Sequence, residues 1–103
     1  MKKVVVTGGS GMIGTHMIKE LLDRSYKVTT HTHKTPLRHY YDDVKVIPNI
    51  DLTNIDHCVE LIDGSDYVIH LAGMIANPKY VPTDFQVGLN QITCLTNVID
   101  AAQ

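Results

Sequence analysis

The chain has 103 residues, of which 44% are hydrophobic and 19% are charged, a composition typical of one small globular domain. The formal net charge is -2 and no basic stripe is present, which argues against a nucleic-acid-binding surface. No apolar run approaches the roughly 20 residues that cross a bilayer, so no membrane partner is expected. Cys58 and Cys94 form no C-x-x-C or zinc pattern, which predicts two buried, free thiols and a cytoplasmic location.

Strands and helices alternate along the chain in the predicted order βαββαβα. The predicted strands cover residues 3–7, 26–30, 44–47 and 66–72, and the predicted helices cover residues 11–24, 53–62 and 83–103. The first and fourth strands are apolar runs, as expected of strands buried on both faces. Thr53 is predicted to cap the second helix and Gly64 to end it, and Thr83 begins a capping box for the third. The alternation predicts an α/β fold with a mostly parallel sheet and helices on both faces.

The segment VVVTGGSGMIG, residues 4–14, joins the first strand to the first helix through a glycine-rich turn. Its glycines satisfy two spacings, G-x-G-x-x-G from Gly9, Gly11 and Gly14, and G-x-x-G-x-x-G from Gly8, Gly11 and Gly14. A strand that turns sharply into a helix directs free N–H groups and the positive helix end at one point, which is an anion site. In such a turn Gly11 allows a diphosphate to approach the backbone, and Gly14 allows the helix to pack close to the strand.

Three motifs in this order, TGGSGMIG, DLTN and VIHLAG, resemble the N-terminal half of the extended short-chain dehydrogenase/reductase family. Members of that family are NAD(P)-dependent epimerases, dehydratases and reductases, GDP-fucose synthase among them, that act mostly on nucleotide sugars. The resemblance covers the whole chain. It implies that residues 1–103 form an incomplete Rossmann-type, NAD(P)-binding half-domain, with the substrate domain absent. The parent enzyme would transfer a hydride between NADP and a carbon of a nucleotide-sugar substrate.

The resemblance also implies a set of cofactor-binding residues. The pyrophosphate would be held by the turn at Gly8 and by Ser10, Gly11, Met12, Ile13 and Gly14. Asp51 and Leu52 would contact the adenine, with the Asp51 carboxylate accepting from the exocyclic amine. The ribose and nicotinamide side would be lined by Leu71, Ala72 and Gly73. Asp51 could equally serve only to start the following helix.

The end of the second strand bears on the choice between the two nicotinamide cofactors. A Rossmann unit that prefers NAD usually carries Asp or Glu there, which accepts a hydrogen bond from the ribose 2'-hydroxyl. The sequence TTHTHK contains no acid, and Lys34 and Arg38 follow it. A 2'-phosphate would meet positive charge, which favours NADP, with NAD still possible. The alternative is that Lys34 and Arg38 are ordinary solvated loop charges.

Tyr41 and Lys45 match the Tyr-x-x-x-Lys spacing of the family's catalytic pair, but they precede the third strand instead of opening a later helix. We therefore expect no catalytic residue among them, and Lys45 should face solvent. Whether the chain itself is an enzyme stays open, because the catalytic pair of the parent family is missing. It could be a truncated product, a fragment or a complete module. The alternative function is a non-catalytic NADP-binding sensor or scaffold.

The histidines raise the question of a metal site, since His31 and His33 form H-x-H with His39 nearby. Zinc would need a third and a fourth ligand in fixed register, which no predicted helix or hairpin supplies, so no metal is expected. His70 lies in an apolar strand and is expected to be a hydrogen-bonded core residue.

An apolar stripe with helical spacing predicts the last helix. The stripe consists of Ile92, Leu95, Ile99 and Ala102. In the family, the corresponding helix joins a four-helix bundle between two subunits, which implies a homo-oligomer. Asn90 resembles an asparagine of the family, but its neighbours differ and its role stays open. Residues 74–88 occupy the family's variable substrate loop.

Overall fold

The computed structural model describes residues 1–72 and 84–103. Its strands are β1 (Lys3–Thr7), β2 (Lys27–His31), β3 (Lys45–Ile47) and β4 (Tyr67–His70). Its helices are α1 (Met12–Asp23), α2 (Ile55–Ile62) and α3 (Asp84–Ala102). The predicted order βαββαβα is confirmed. The capping box proposed at Thr83 lies outside the described residues.

The four strands form one parallel sheet in the order β3-β2-β1-β4. Val5 of the central strand β1 lies opposite Thr29 of β2 and Val68 of β4. β1 is buried from residue 4 onwards, as its apolar run predicts. The prediction that β4 is buried on both faces is wrong, because β4 lies at the edge of the described sheet and the Tyr67 side chain is 54% exposed.

Helices cover both faces of the sheet, and each face has its own core. On the first face, α1 packs Ile18 and Leu21 against Val4 and Val6 of β1. On the second face, the core around Val5 includes α2 and Val98 of α3. Alternate residues of β1 therefore point to opposite layers, as the two-residue period of a strand requires. The predicted helices on both faces are confirmed.

The start of α2 differs from the prediction in one residue. Asn54, and not Thr53, is the N-cap: its side-chain oxygen accepts from the backbone N–H groups of Asp56 and His57. Asn54 has the extended backbone of a cap residue, which frees its short side chain to bond the first turn. Past the other end of the helix, Gly64 has a φ of 76°, in the left-handed region expected after a helix terminus.

α3 packs through a different stripe from the one predicted. Cys94, Val98 and Ala101 face the second core, whereas Ile92 is 64% exposed and Ile99 is 48% exposed. Cys58 is buried as predicted, but Cys94 is only half-buried, because it lies at the margin of this core. Both stripes have helical spacing, so periodicity alone does not say which one meets the sheet. In the part of the chain that the structure describes, no helix has the length and apolar character needed to span a membrane.

Candidate functional site

Three of the four glycines in the turn between β1 and α1 are required by close contacts within the protein. Gly8 has a φ of 76°, and a Cβ there would lie 2.7 Å from the backbone nitrogen of Ala72. A Cβ on Gly9 would clash with the Thr30 hydroxyl, and one on Gly14 would clash with the Gly8 carbonyl oxygen. The carbonyl of Gly8 also accepts from the Gly11 N–H at 3.1 Å. These contacts fix the path of the turn.

Gly11 is different, because no contact among residues 1–72 and 84–103 requires its missing side chain. The atom nearest to a Cβ at Gly11 is the Gly8 oxygen at 3.5 Å, an ordinary contact, and its φ of -79° suits any residue. Gly11 is the N-cap of α1, where no side chain caps the helix and no acidic residue lies in the first turn. The described part of the chain thus gives the first-turn N–H groups no capping side chain, and such N–H groups can bind an anion.

Two large apolar side chains flank this helix start. Met12 is 63% exposed and Ile13 is 66% exposed, although the helical pattern of α1 would place Ile13 on the packed face with Ile18. The first turn of α1 therefore presents two large apolar side chains next to Gly11.

The hydroxyl of Thr7 joins the ends of β1 and β4. It accepts from the N–H groups of Leu71 and Ala72 at 3.0 and 3.1 Å and lies 2.7 Å from His70 Nδ1. A hydroxyl that accepts twice donates its proton to the third partner, so His70 Nδ1 is the acceptor and the ring is neutral. Burial lowers the pKa of His70, in agreement with a neutral ring. This network fixes Ala72 beside the glycine turn.

The connection after β2 is tied to the glycine turn through Ser10, whose hydroxyl donates to the Thr35 carbonyl at 2.9 Å. Buried Leu37 anchors the same connection. Lys34 and Arg38 are both exposed, but only Lys34 lines the cavity described next. The structure therefore brings one of the two predicted cations to the site.

A cavity of about 490 Å³ lies at the carboxyl ends of the strands. Its walls are formed by His31, His33, Lys34, Ile50, Asp51, Leu52, Thr53, Ala72, Asn90, Gln91 and Cys94. The ends of β2, β3 and β4 thus meet α3 around one space, beside the glycine turn. Two cavities of similar volume lie elsewhere, and none of the predicted site residues lines them. In an open parallel sheet, ligands bind outside the carboxyl ends of the strands, so this cavity is the candidate site.

Asp51 is held in place from both its side chain and its backbone. The N–H and the hydroxyl of Thr53 both donate to Asp51 Oδ1, at 2.9 and 2.7 Å, and they lower the pKa of this carboxyl. The Asp51 N–H donates to His57 Nδ1 at 2.9 Å. Asn97 of α3 donates to the Leu52 carbonyl at 3.0 Å, a contact that the sequence did not indicate. The carboxylate is therefore ionised and oriented at the cavity wall, and Asn54, not Asp51, caps α2.

The remaining predicted residues are placed as follows. The Leu71 side chain packs against the core under α1, so only its backbone lies at the rim of the sheet. Gly73 lies outside the described residues. Asn90 and Gln91 line the cavity. Of the substrate loop predicted over residues 74–88, residues 74–83 lie outside the described residues and residues 84–88 form the start of α3.

Neither Tyr41 nor Lys45 lines this cavity. Tyr41 packs against the core under α1, and its ring contacts His39 edge-on with the centroids 4.3 Å apart. Lys45 begins the edge strand β3 and is exposed, as predicted. Because both residues lie before β3, they are at the amino ends of the strands, opposite the cavity.

The prediction that His70 is hydrogen-bonded is confirmed, but the sequence did not indicate the roles of two other histidines. The N–H of Gly8 donates to His31 Nε2 at 3.2 Å, and the N–H of Asp51 donates to His57 Nδ1 at 2.9 Å. A spacing search for metal ligands does not detect acceptors of this kind. Within residues 1–72 and 84–103, no group of three or more His, Cys, Asp or Glu side chains is placed to hold a metal ion.

Comparison with known proteins gives one consistent family. A family model described as the NAD dependent epimerase/dehydratase family matches residues 4–103. A 3 beta-hydroxysteroid dehydrogenase/Delta 5-->4-isomerase from Mycobacterium tuberculosis is 33% identical over 73 residues, covering 71% of this chain and 20% of that protein. A UDP-N-acetyl-alpha-D-glucosaminuronate decarboxylase from Bacillus cytotoxicus is 27% identical, over 98% of this chain and 33% of that protein. The chain spans a third or less of the length of these relatives.

Solved structures share the fold. WbmH from Bordetella bronchiseptica, in complex with NAD+, matches with a TM-score of 0.78 and 26% identity, over 99% of this chain and 35% of that one. An epimerase from Methanothermobacter thermautotrophicus matches with a TM-score of 0.82 and 23% identity, over 98% of this chain and 31% of that one. The Rossmann-type α/β fold predicted from the sequence is confirmed.

Proposed function

The chain belongs to the NAD dependent epimerase/dehydratase family, and on that premise we propose that its cavity and glycine turn bind NADP. The chain would be the NAD(P)-binding portion of an enzyme that moves a hydride between the nicotinamide and a sugar carbon of a nucleotide sugar. The cofactor when bound would supply the hydride acceptor or donor, and the residues described here would hold and orient it.

The observation that carries this proposal is the open space at Gly11. The other glycines of the turn are explained by contacts within the chain, and Gly11 is not. A glycine without an internal reason, at an uncapped helix start, is what a diphosphate lying against the backbone requires. The N–H groups that follow Gly11 would donate to the diphosphate oxygens.

The cofactor would lie along the rim of the sheet, with its two halves on opposite sides of the glycine turn. The adenine would occupy the cavity beside Asp51 and Leu52. Because Oδ1 of Asp51 already accepts twice from Thr53, the exocyclic amine would donate to Oδ2. The nicotinamide half would extend past Ala72, on the other side of the glycine turn.

We propose NADP over NAD because Lys34 lines the cavity. In addition, the sequence has no Asp or Glu at the end of β2. A 2'-phosphate near Lys34 gains a charge-assisted contact, whereas a carboxylate there would repel it. Arg38 would add to the local positive charge from outside the cavity wall.

The proposed substrate is a nucleotide sugar, in line with the similarity to the UDP-N-acetyl-alpha-D-glucosaminuronate decarboxylase of Bacillus cytotoxicus. A steroid substrate is the competing candidate, because the Mycobacterium tuberculosis relative has the higher identity. A panel of nucleotide sugars and hydroxysteroids, assayed with the parent protein and NADP or NADPH, separates the two. A protein that binds NADP but turns over no member of either class would favour the non-catalytic sensor or scaffold.

A second copy of the chain is the proposed protein partner, through the exposed stripe of α3. A cytoplasmic location is proposed because Cys58 and Cys94 are free thiols, which a reducing compartment maintains.

The test of the binding site compares two glycines. Threonine caps a helix about as well as glycine, so Gly11→Thr should keep the fold. The threonine side chain would occupy the space proposed for the diphosphate. NADPH affinity by titration calorimetry should fall about 100-fold or more, which is about 2.7 kcal/mol. Gly64 has a φ of 76° and no atom near a Cβ, so Gly64→Ala should cost about 1 kcal/mol of stability and leave affinity unchanged. Full NADPH affinity in Gly11→Thr would refute the site.

A further inference from the structure

His31 holds the peptide at which the glycine turn leaves the sheet. Its ring is 8% exposed, and Nε2 accepts from the Gly8 N–H at 3.2 Å. The other side of the same peptide is fixed as well, because the Thr7 carbonyl accepts from the Leu71 N–H at 3.2 Å. At the point where pairing between β1 and β2 stops, the imidazole takes the place of a backbone carbonyl.

The acceptor role of Nε2 determines the form of the ring. A neutral imidazole with an unprotonated Nε2 carries its proton on Nδ1. Within the described part of the chain, Nδ1 is buried and has no hydrogen-bond partner. A buried donor without a partner lowers stability, and this cost offsets the bond that Nε2 makes to the Gly8 N–H. The stability of the fold by itself is therefore a weak reason for a histidine here.

The glycine turn supplies the missing reason. The Gly8 carbonyl accepts from the Gly11 N–H at 3.1 Å, and Gly14 packs against the same oxygen. The orientation of Gly8 thus sets the orientation of Gly11 and of the first turn of α1. His31 is the side chain at the start of this series of contacts.

We propose that His31 is a positioning residue for the diphosphate of the cofactor: its Nε2 fixes the Thr7–Gly8 peptide, and through it the N–H groups after Gly11. This inference rests on the proposed function, since it concerns the same glycine turn. It differs from a packing role in requiring an acceptor at the position of Nε2.

Two substitutions separate the acceptor from the bulk of the ring. His31→Gln can place its amide oxygen near the position of Nε2 and accept from Gly8. His31→Leu fills a similar volume without an acceptor. The affinities of ADP-ribose and of adenosine, which lacks the diphosphate, are measured for both variants and for the wild-type protein by NMR titration, together with thermal unfolding.

The expected result is specific to the diphosphate. Because His31 also lines the cavity proposed for the adenine, the two variants are compared with each other. His31→Leu should bind ADP-ribose about tenfold more weakly than His31→Gln, the two variants should bind adenosine equally, and both should unfold within about 3 °C of the wild type. His31→Gln should stay within about twofold of the wild type for both ligands. In the wild type, nitrogen NMR of the ring at neutral pH should show the proton on Nδ1, a measurement that needs no variant to fold.

Several results would overturn the proposal. Unchanged ADP-ribose affinity in His31→Leu, equal losses in both variants, or equal losses for ADP-ribose and adenosine would each show that the acceptor does not position the diphosphate. A proton found on Nε2 would remove its chemical basis. A wild-type protein that binds no ADP-ribose or NADP would refute the proposed function itself, and the positioning role with it.

Discussion

The His31 imidazole occupies a place where its charged form is poorly solvated. Burial, followed by the nearby rings of His33 and His70, lowers its pKa from the ordinary value of 6.5 to about 4. The unfolded chain therefore binds a proton between about pH 6.5 and pH 4 that the folded chain does not. By linkage, stability is highest above about pH 6.5 and falls as the pH drops towards 4.

This difference predicts an acid-dependent loss of stability. The interval between the unfolded and folded pKa values of His31 corresponds to about 3 kcal/mol in the free energy of unfolding. The pKa of His70 is also lowered, so His70 acts in the same direction. Urea unfolding at about pH 7 and about pH 4.5 should show the decrease in the wild type. His31→Gln carries no titrating group and should lose less. If His31→Gln shows the full decrease, another group is responsible.

Lys34 and Arg38 can now be tested separately, because only Lys34 lines the cavity. Lys34→Ala should weaken NADP by about fivefold, or about 1 kcal/mol, and leave NAD nearly unchanged. Arg38→Ala is the matched control and should have a smaller effect. Calorimetry should show that the difference in NADP affinity between the wild type and Lys34→Ala is smaller at high salt than at low salt, because salt screens the charges. Equal losses of NADP and NAD in Lys34→Ala would mean that its charge does not contact a 2'-phosphate.

At the scale of elements, the end of α1 contains a residue in an unfavourable backbone conformation. The Tyr26 N–H bonds to the Leu21 carbonyl and the Ser25 N–H to the Leu22 carbonyl, both at 3.0 Å. This is the Schellman arrangement, in which the residue after the cap adopts the left-handed region, usually as glycine. Here that residue is Ser25, with a φ of 66°.

Ser25→Gly should therefore stabilise the protein. Glycine removes the cost of the left-handed conformation, about 1–2 kcal/mol. It adds a cost of about 0.5–1 kcal/mol because glycine has more conformational entropy in the unfolded chain. The free energy of unfolding should therefore rise by about 0.5 kcal/mol. Denaturant unfolding measures the gain, and NADPH affinity should not change because the glycine turn is at the other end of α1. Ser25→Val is the opposite control and should destabilise. A loss of stability in Ser25→Gly would contradict this account.

Local patterns predicted the elements themselves well. The apolar run of β1 gave its position and burial, and the glycine spacing gave the tight turn at Gly8 and the close helix approach at Gly14. The choice of Asn54 over Thr53 as a cap depends on backbone angles, which neighbouring polar residues do not reveal. The contact between His31 and Gly8 joins residues 23 positions apart and follows only from the pairing of β1 with β2.

At the scale of the whole molecule, the two faces of α3 are both apolar, and this explains why its packed stripe was not identified from the sequence. One stripe, around Val98, is buried in the second core, and the other remains outside. The exposed stripe consists of Leu89, Ile92, Leu95 and Ile99. Contiguous apolar surface of this kind is typical of a protein interface.

The exposed stripe of α3 predicts that the protein self-associates. Ile92→Lys combined with Ile99→Lys places two charges in the stripe and should shift sedimentation from dimer to monomer, because unpaired charges are costly in an apolar interface. Tyr67→Lys is the control: Tyr67 is similarly exposed, at 54%, but lies on β4 at the open edge of the described sheet. It should leave the dimer intact. A monomer in Tyr67→Lys and a dimer in the α3 variant would place the contact at the β4 edge and refute the role of α3. A wild-type protein that stays monomeric at high concentration would refute self-association through either surface.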